Sequence, residues 1–437
     1  MSIRKIVKLL IPKALFRKIE PAGHLVEAVV MNLIYGFPGR KLKIIGVTGT
    51  NGKTTTAFLI HRMLYEAGYS VGLMTTVAYG AGDSLVMPPD HYTNVPAPLM
   101  MKRLRQLRKQ GVDWLVMEVT SQALAQNRVW GLPIYLAAMT NISQDHLDYH
   151  QTMQKYLAAK VKLFRLAAKN KKGLRTGVVN ADDAEAAAFL AAVDNPVTYG
   201  VYRGDIRASD IKLSAAGASF KVSAGEDTYH LKTHLPGKFN IYNALTALAV
   251  GRALGLSQPE IESGIAAQKG VPGRMTAIRT AQKFHVLVDF AHSPDALLNA
   301  LTACRELTKG RLILVFGATG DRDTSKRPLM GQVAARHADL IFLTDDETYT
   351  EDPKQILDAV YQGIGEAGGA QKTKVIGDRR KAIREAFKAA QPGDTVLLTG
   401  IGHQTSRNMG GKEEPWNEIE IAKKILKSLR RASSKTS

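Results

Sequence analysis

Lys43-Ile-Ile-Gly-Val-Thr-Gly-Thr-Asn-Gly-Lys-Thr-Thr-Thr56 decides the fold. A β-branched run, 43–47, enters a glycine-rich turn. A Lys-Thr pair then opens a helix-patterned stretch, 54–67, that Gly68 can cap. Strand, turn, Lys-Thr and helix in that order are phosphate-binding architecture. Gly49 and Gly52, with Thr50 and Asn51 between them, let backbone N–H groups approach phosphate oxygens. Lys53 adds a point charge, and Thr54, followed by Thr55, offers a hydroxyl suited to Mg²⁺. The helix start adds its partial positive charge. Val47 stands where the strict Walker pattern has Gly, so the loop is a shortened variant. A tight turn with a chance lysine is the alternative, and the order of the elements argues against it.

Outward from this loop, strand and helix patterns alternate. Strands are expected at 71–75, 114–119, 137–140 and 177–180, and helices at 99–110 and 156–169. This rhythm predicts a mostly parallel sheet covered by helices. The stretch 199–234 differs: short alternating segments at 211–213, 219–222 and 228–231 predict an antiparallel patch. Helices resume at 240–254 and 259–267. Gly270-Val-Pro-Gly-Arg274 is a turn-rich break and the expected domain boundary. A second α/β rhythm follows, with strands at 284–290, 312–316, 340–344, 374–376 and 395–399 and helices at 296–306 and 329–336. The expected fold class is therefore α/β, a central P-loop-type domain (40–270) with a mostly parallel sheet. A Rossmann-like C-terminal domain (271–437) would follow it, and a short basic helical leader (1–39) would precede it.

Composition narrows the function. The chain has 437 residues, 45% hydrophobic and 22% charged, enough to bury a core. Its net charge of +20 favours anionic partners without choosing among them. The single cysteine, Cys304, excludes an intrachain disulfide and a cysteine-built zinc or iron–sulfur site. No apolar run has the ~20 residues a membrane span needs. The cations of 1–20 interrupt any secretory signal core, so a cytoplasmic location is expected. Ile3, Ile6, Val7, Leu10 and Ile11 follow helical spacing with Arg4, Lys5 and Lys8 on other faces. Such a helix either packs on the body or seeks a membrane surface. The basic tail from Lys423 is expected to fray.

The segment from Gly46 to Thr55 resembles the nucleotide loop of the Mur ligases, ATP-dependent amide ligases that build the peptide stem of peptidoglycan. Further motifs match in order to about residue 403. The best match is to the branch that adds the third amino acid to UDP-N-acetylmuramoyl-dipeptide. The resemblance implies a metal-binding Glu118, closing the apolar strand Trp114-Leu-Val-Met-Glu118, where the alternative is a helix-capping Glu. In Val119-Thr-Ser-Gln-Ala-Leu124 it makes Ser121 a substrate contact, with Gln122 where the family has His. Asp145-His146-Leu-Asp148 makes His146 a ligand of a second Mg²⁺; alone, it would read as a surface hydrogen-bonding group. Tyr156-Leu-Ala-Ala-Lys160 resembles the helix with a carbamylated lysine, so Lys160 joins Lys53, Glu118 and His146 as the catalytic set, and Lys162 is the solvated alternative. Carbamylation needs a neutral amine, which a dry or cationic setting favours.

For the nucleotide, the resemblance implies contacts from Asn240 and Asn243, from Arg274 at the hinge, and from Asp289 and His292 in Asp289-Phe-Ala-His-Ser-Pro-Asp295. Helix capping is the other reading of Asn240. For the substrates it implies Thr93, Asn94, Ser121, Arg128, Arg322, Lys326, Asp346, Glu347, Tyr349 and His403. Two departures stand out. The diaminopimelate motif Asp-Asn-Pro-Arg is replaced by Asp345-Asp-Glu-Thr-Tyr349, and Gly-Lys-Gly-His-Glu by Gly400-Ile-Gly-His-Gln404. Glu347 then becomes the candidate for a cationic side chain such as lysine. Only about forty residues precede the first strand, fewer than a self-standing uridine-binding domain needs.

The implied partners are ATP, two Mg²⁺, an anionic UDP-muramoyl-peptide-like acceptor and an amino acid, acted on by a monomer. The basic termini would make a peripheral membrane or protein contact. A Mur-like ligase for folate or a poly-amino acid is one alternative. A basic P-loop ATPase on nucleic acid is the other, disfavoured because Asp145-His146 and Lys160 have no role in it.

Overall fold

The computed structural model describes residues 13–87, 93–214, 216–280 and 282–433. The leader positions Ile3 to Ile11 therefore lie outside the described residues. The first sheet takes β1 (Lys43–Thr48), β2 (Val71–Met74), β3 (Tyr79–Ala81), β4 (Ser84–Val86), β5 (Trp114–Glu118), β6 (Ile134–Met139), β7 (Thr176–Asn180), β8 (Asn195–Gly200), β9 (Ile206–Ser214), β10 (Gly217–Ala224) and β11 (Asp227–Thr233). Their order is β11-β10-β9-β8-β7-β6-β1-β5-β2-β3-β4. β1 lies between β5 and β6 and runs parallel to both. Its residues after Lys43 are all buried, as a parallel strand covered on both faces requires.

Side chains alternate across this strand. Ile45 and Val47 join the core formed with helices Lys53–Glu66 and Phe239–Ala253. Ile44 joins the opposite core, with helices Ala97–Lys109 and Met153–Lys169. The loops after β1, β5, β6 and β7 thus leave the same edge of the sheet, where strand order reverses about β1; ligands of open α/β sheets bind there. The expected antiparallel patch is β9–β10–β11.

Residues 271–274 form the turn-rich break, with one isolated bridge between Val271 and Arg274. The second sheet has β12 (Thr276–Ala277), β13 (His285–Asp289), β14 (Leu312–Phe316), β15 (Leu340–Leu343), β16 (Thr373–Val375) and β17 (Thr395–Thr399) in the order β12-β13-β17-β14-β15-β16. All pairs but β12–β13 are parallel. A hairpin, β18 (Ser406–Met409) with β19 (Lys412–Pro415), follows.

One expectation is corrected. The basic tail does not begin to fray at Lys423: Glu418–Ser433 is a helix packed on helix Arg379–Ala389. Ile421, Ala422, Ile425 and Leu426 are buried at i, i+1, i+4, i+5, while Lys424, Lys427, Arg430 and Arg431 face water. The run of cations conceals this apolar stripe. Among the described residues no helix is long and apolar enough to cross a membrane.

Candidate active site

The phosphate loop is held by the loop after β6. Thr50 N–H donates to Asn141 O (2.7 Å) and Asn51 N–H to Asn141 Oδ1 (3.0 Å). Thr140 Oγ1 and Asn141 Nδ2 both donate to Asn51 O, at 2.6 and 3.0 Å. Two glycines make this close approach feasible. Gly49 (φ 144°) would set a Cβ 1.9 Å from Thr140 Oγ1, and Gly52 (φ 83°) one 2.3 Å from Asn243 Oδ1.

Two lysines converge on one carbonyl. Lys53 curls back to donate to Gly49 O (3.0 Å) and Thr50 O (2.6 Å), and Lys160 Nζ also donates to Gly49 O. Burial holds the Lys53 ammonium below its usual range, against the pull of Glu118 and Asp145. Burial first, and Lys53 second, pull Lys160 well below the usual lysine range. The half-buried alternative, Lys162, instead caps carbonyls at Leu124 O (3.0 Å) and Asn127.

Glu118 ends β5 at 1% exposure. Its Oε2 accepts from Thr76 Oγ1 (3.2 Å), while its buried Oε1 has no hydrogen-bond partner. Thr76 in turn shares a hydrogen bond with Thr93 (2.7 Å). Asn94 Nδ2 donates to Glu118 O (2.8 Å), and Arg128 donates to Asn94 O (3.2 Å). The structure therefore gathers Thr93, Asn94 and Arg128 around Glu118.

His146 takes a left-handed conformation (φ 54°) and lies 3.5 Å from Asp145 Oδ2. Burial favours its neutral form, and Lys160 and Lys53 add to that against Asp145. Burial alone would raise the Asp145 carboxyl. His146, His292, Lys326 and the His146 N–H reverse this and hold it well below the usual carboxylate range. Asp145, in the loop after β6, is thus in electrostatic reach of His292, in the loop after β13, and of Lys326, at the start of helix Lys326–His337.

Among the described residues no three His, Cys, Asp or Glu side chains form a metal cage. The orphaned Glu118 oxygen, within electrostatic reach of Lys53, instead fits Mg²⁺, which binds through one or two carboxylates and shares its remaining ligands with phosphates and water. Thr54 Oγ1 accepts from Arg274 at 3.0 Å.

A cavity of about 450 Å³ opens beside the loop, between the two sheets. It brings together Asn51, Gly52, Thr55, Asn240, Asn243, Arg274 and Asp289 from the expected nucleotide set. Asn243 Nδ2 donates to Asn240 Oδ1 (2.8 Å) and Thr56 Oγ1 donates to Asn243 Oδ1 (3.1 Å). Asn240 is not the helix cap; Lys238 holds that position, and Asn240 Nδ2 donates to Pro236 O (2.7 Å). Buried Asp289 accepts from the N–H groups of Met275 (2.8 Å) and Ala291 (2.9 Å), and burial raises its carboxyl. The Arg274 guanidinium sits 5.0 Å over Phe290. His292 is not a lining residue; its desolvated ring is pushed down to about 4 and lies 2.9 Å from Phe290 O.

Sequence reasoning missed several lining residues. Asp295, the last residue of the Asp289–Asp295 motif but given no contact there, links the two halves: its Oδ2 accepts from Asn51 Nδ2 (2.6 Å) and Ser143 Oγ (3.3 Å). Asn180, Asp182, Asp183 and Tyr242 line the far wall, with Tyr242 OH donating to Asp182 (3.0 Å). The polar run 180–183 at the end of β7 was the available signal. His150 was also missed. Its Nε2 lies 3.0 Å from Ser121 Oγ, so an imidazole reaches Ser121 although Gln122 replaces the family's His. Burial pushes His150 down to about 4, leaving it neutral at pH 7.

The remaining substrate candidates lie on the second sheet's loops. Glu347, buried, accepts from Gln404 Nε2 (3.2 Å) and Asn408 N–H (3.1 Å). Tyr349 has φ 49°, and Arg322 lies 4.9 Å over its ring. Burial pushes the Asp346 carboxyl up to about 7, with Glu347 adding to the rise and Arg379 opposing it. The His403 ring lies tilted against Phe290, with centroids 5.0 Å apart.

Residues 47–251 match the Mur ligase middle domain, and residues 273–402 match the Mur ligase, glutamate ligase domain. The chain belongs to the Mur ligase family. It is 39% identical over 415 residues to a UDP-N-acetylmuramoyl-L-alanyl-D-glutamate--2,6-diaminopimelate ligase of Caldanaerobacter subterraneus subsp. tengcongensis, covering 93% of this chain and 83% of that one. It is 37% identical to a UDP-N-acetylmuramyl-tripeptide synthetase of Roseiflexus sp., covering 94% and 83%. A solved diaminopimelate ligase superposes with TM-score 0.61 at 32% identity, covering 89% and 79%. A folylpolyglutamate synthase of Mycobacterium tuberculosis reaches 0.72 at 18% identity over 93% and 95%, a likeness of fold alone. Mur ligases form amide bonds at the expense of ATP. In this Mur ligase, Gln404 fills the place of the motif's Glu and hydrogen-bonds Glu347, which lies in the changed Asp345–Tyr349 loop.

Proposed function

We propose that this chain adds an amino acid to a UDP-N-acetylmuramoyl-dipeptide acceptor through an acyl phosphate, in the cytoplasm and as a monomer. The observation that carries the reading is the cavity shared by the phosphate loop, the Asn240–Asn243 pair, Arg274 and Asp289. ATP would lie there with its phosphates on the loop 48–54. Thr54, Glu118, His146 and a carbamylated Lys160 would hold two Mg²⁺, whose charge would offset that of the transferring phosphate. The Lys160 amine would attack CO₂, form an N–C bond and release one proton, leaving a carbamate anion. Its neutral tendency in a buried, cationic setting supports this.

The acceptor carboxylate attacks the γ-phosphorus, and ADP leaves. Lys53, freed from Gly49 O, would follow the charge onto the phosphate oxygens. The incoming amine then attacks the acyl carbon and phosphate departs. Thr93, Asn94, Ser121 and Arg128 would seat the acceptor beside Glu118, and Lys326 and His403 would face it from the other sheet. Exclusion of water protects the acyl phosphate, and the break at 271–274 between the proposed domains 40–270 and 271–437 is the natural pivot. The basic termini would provide a peripheral contact.

The amino-acid pocket would be Glu347 with Arg322, Tyr349 and Asp346. A buried carboxylate already fixed by two donors suits a side-chain ammonium. A phosphate-release assay with the UDP-muramoyl-dipeptide and an amino-acid panel tests this. Preference for an ammonium-bearing side chain is expected; equal turnover of lysine and neutral amino acids would sink it.

A further inference from the structure

Helix Lys13–Tyr35 packs on the body through a mixed face, with Ala28, Met31 and Tyr35 beside the polar His24 and Asn32. His24 and Asn32 are buried against the body, with Asn32 Nδ2 donating to Ala28 O (2.9 Å) and to Trp130 O (3.2 Å). Gln126 Nε2 donates to Glu20 Oε2 (3.2 Å), and Asn127 Nδ2 to Pro21 O (3.4 Å). The outward side carries Ile19, Ala22, Gly23, Val26, Val30, Leu33 and Ile34. Val26, Leu33 and Ile34 are 63%, 63% and 65% exposed. At 3.6 residues per turn these positions span an arc of roughly 120° that holds no charged residue. Trp130, on the loop beneath the helix, is exposed as well. Water-facing stripes of a soluble helix are normally charged, so a four-turn apolar stripe marks a contact surface.

Charge selects the occupant. Residues 1–19 contain Arg4, Lys5, Lys8, Lys13, Arg17 and Lys18 and no Asp or Glu. In sequence, Leu15 and Phe16 extend the apolar spacing toward this cationic segment. A bilayer with anionic headgroups neutralises such a sequence, whereas a second copy of this chain carries the same positive charge and offers it no counter-charge. We propose that this helix lays the enzyme on an anionic lipid surface, with Val26, Val30, Leu33 and Ile34 entering the acyl boundary. The inference does not depend on which acceptor or amino acid the enzyme uses.

The test is co-sedimentation of the full chain with phosphatidylcholine vesicles, with and without phosphatidylglycerol, and with light-scattering mass measured alongside. The protein should pellet only with phosphatidylglycerol, and less so as salt rises. V30E/L33E should lower the partition coefficient at least about tenfold. K13Q/R17Q/K18Q should lower it about fivefold per charge at low salt, about 100-fold together. Far-UV dichroism and ATP turnover, matched to the parent, show that both variants are folded. Equal binding to both vesicle types, or binding unmoved by either variant, would overturn the proposal. So would a dimer that V30E/L33E dissolves in a protein that ignores vesicles.

Discussion

Gly52 and Gly68 have nearly the same backbone, φ 83° and 82°, in opposite surroundings. A Cβ on Gly68 meets nothing within 4 Å, whereas one on Gly52 lies 2.3 Å from Asn243 Oδ1. Alanine at Gly68 therefore costs only the left-handed strain, about 1–2 kcal/mol. Alanine at Gly52 costs the same strain and also expels the Asn243 amide. That breaks the bonds of Asn243 to Thr56 (3.1 Å) and Asn240 (2.8 Å), each worth about 0.5–1.5 kcal/mol. The total for G52A is about 2–5 kcal/mol. The two variants should separate further in ATP binding, because only Gly52 lies in the loop and its cavity. Urea titration and isothermal calorimetry with ATP measure both quantities. G52A should lose most ATP affinity, and G68A should keep it. Equal stability loss and equal ATP affinity in the two variants would refute the steric argument and the placement of ATP on this loop.

Other outcomes follow from the same geometry. E118Q removes a buried carboxylate oxygen that has no hydrogen-bond partner beside the phosphate loop, so Mg²⁺-dependent turnover should fall by more than ~100-fold with the denaturation midpoint little changed. Lys160 binds its proton less tightly folded than unfolded, so its contribution to stability rises with pH toward the ordinary lysine value of 10.5; K160M should flatten that slope. Loss of dissolved CO₂ should also lower the parent's activity, and bicarbonate should restore it. Asp346 is the opposite case, raised to about 7 from 3.8. Its burial penalty is absent at low pH and complete above pH 7, so D346N should stabilise the protein there, on the order of 4 kcal/mol at most, and not at pH 4. E418A leaves buried Arg379 without the carboxylate it contacts at 2.6 Å, which should cost about 3–5 kcal/mol in chemical denaturation.

The stretch from Lys43 to Thr56 was legible because its chemistry is local: strand, turn and helix start each leave a signature within a few residues. The antiparallel patch before Thr233 and the break at 271–274 were legible for the same reason. What escaped was set by long-range pairing. Asp295 reaches Asn51 across 244 positions; each lay in a motif already read as facing the nucleotide, but nothing local pairs the two. His150 meets Ser121 because left-handed residues at His146 and Gln151 bracket the short helix that carries it. Helix Glu418–Ser433 was hidden by its cations, although Ile421 and Ile425 repeat at helical spacing. Helix Arg379–Ala389 was hidden in the same way by its cations, and Pro353–Glu366 by the glycines at 363 and 365 that interrupt its pattern.

The central claim is ligation driven by ATP at this cavity. Phosphate release by the full chain, measured with ATP and Mg²⁺ while UDP-muramoyl-dipeptide and the amino acid are omitted in turn, tests it most directly. The account predicts release only when both are present, with one ADP and one new amide bond per phosphate. Release that ignores both, or that depends instead on nucleic acid, would contradict it.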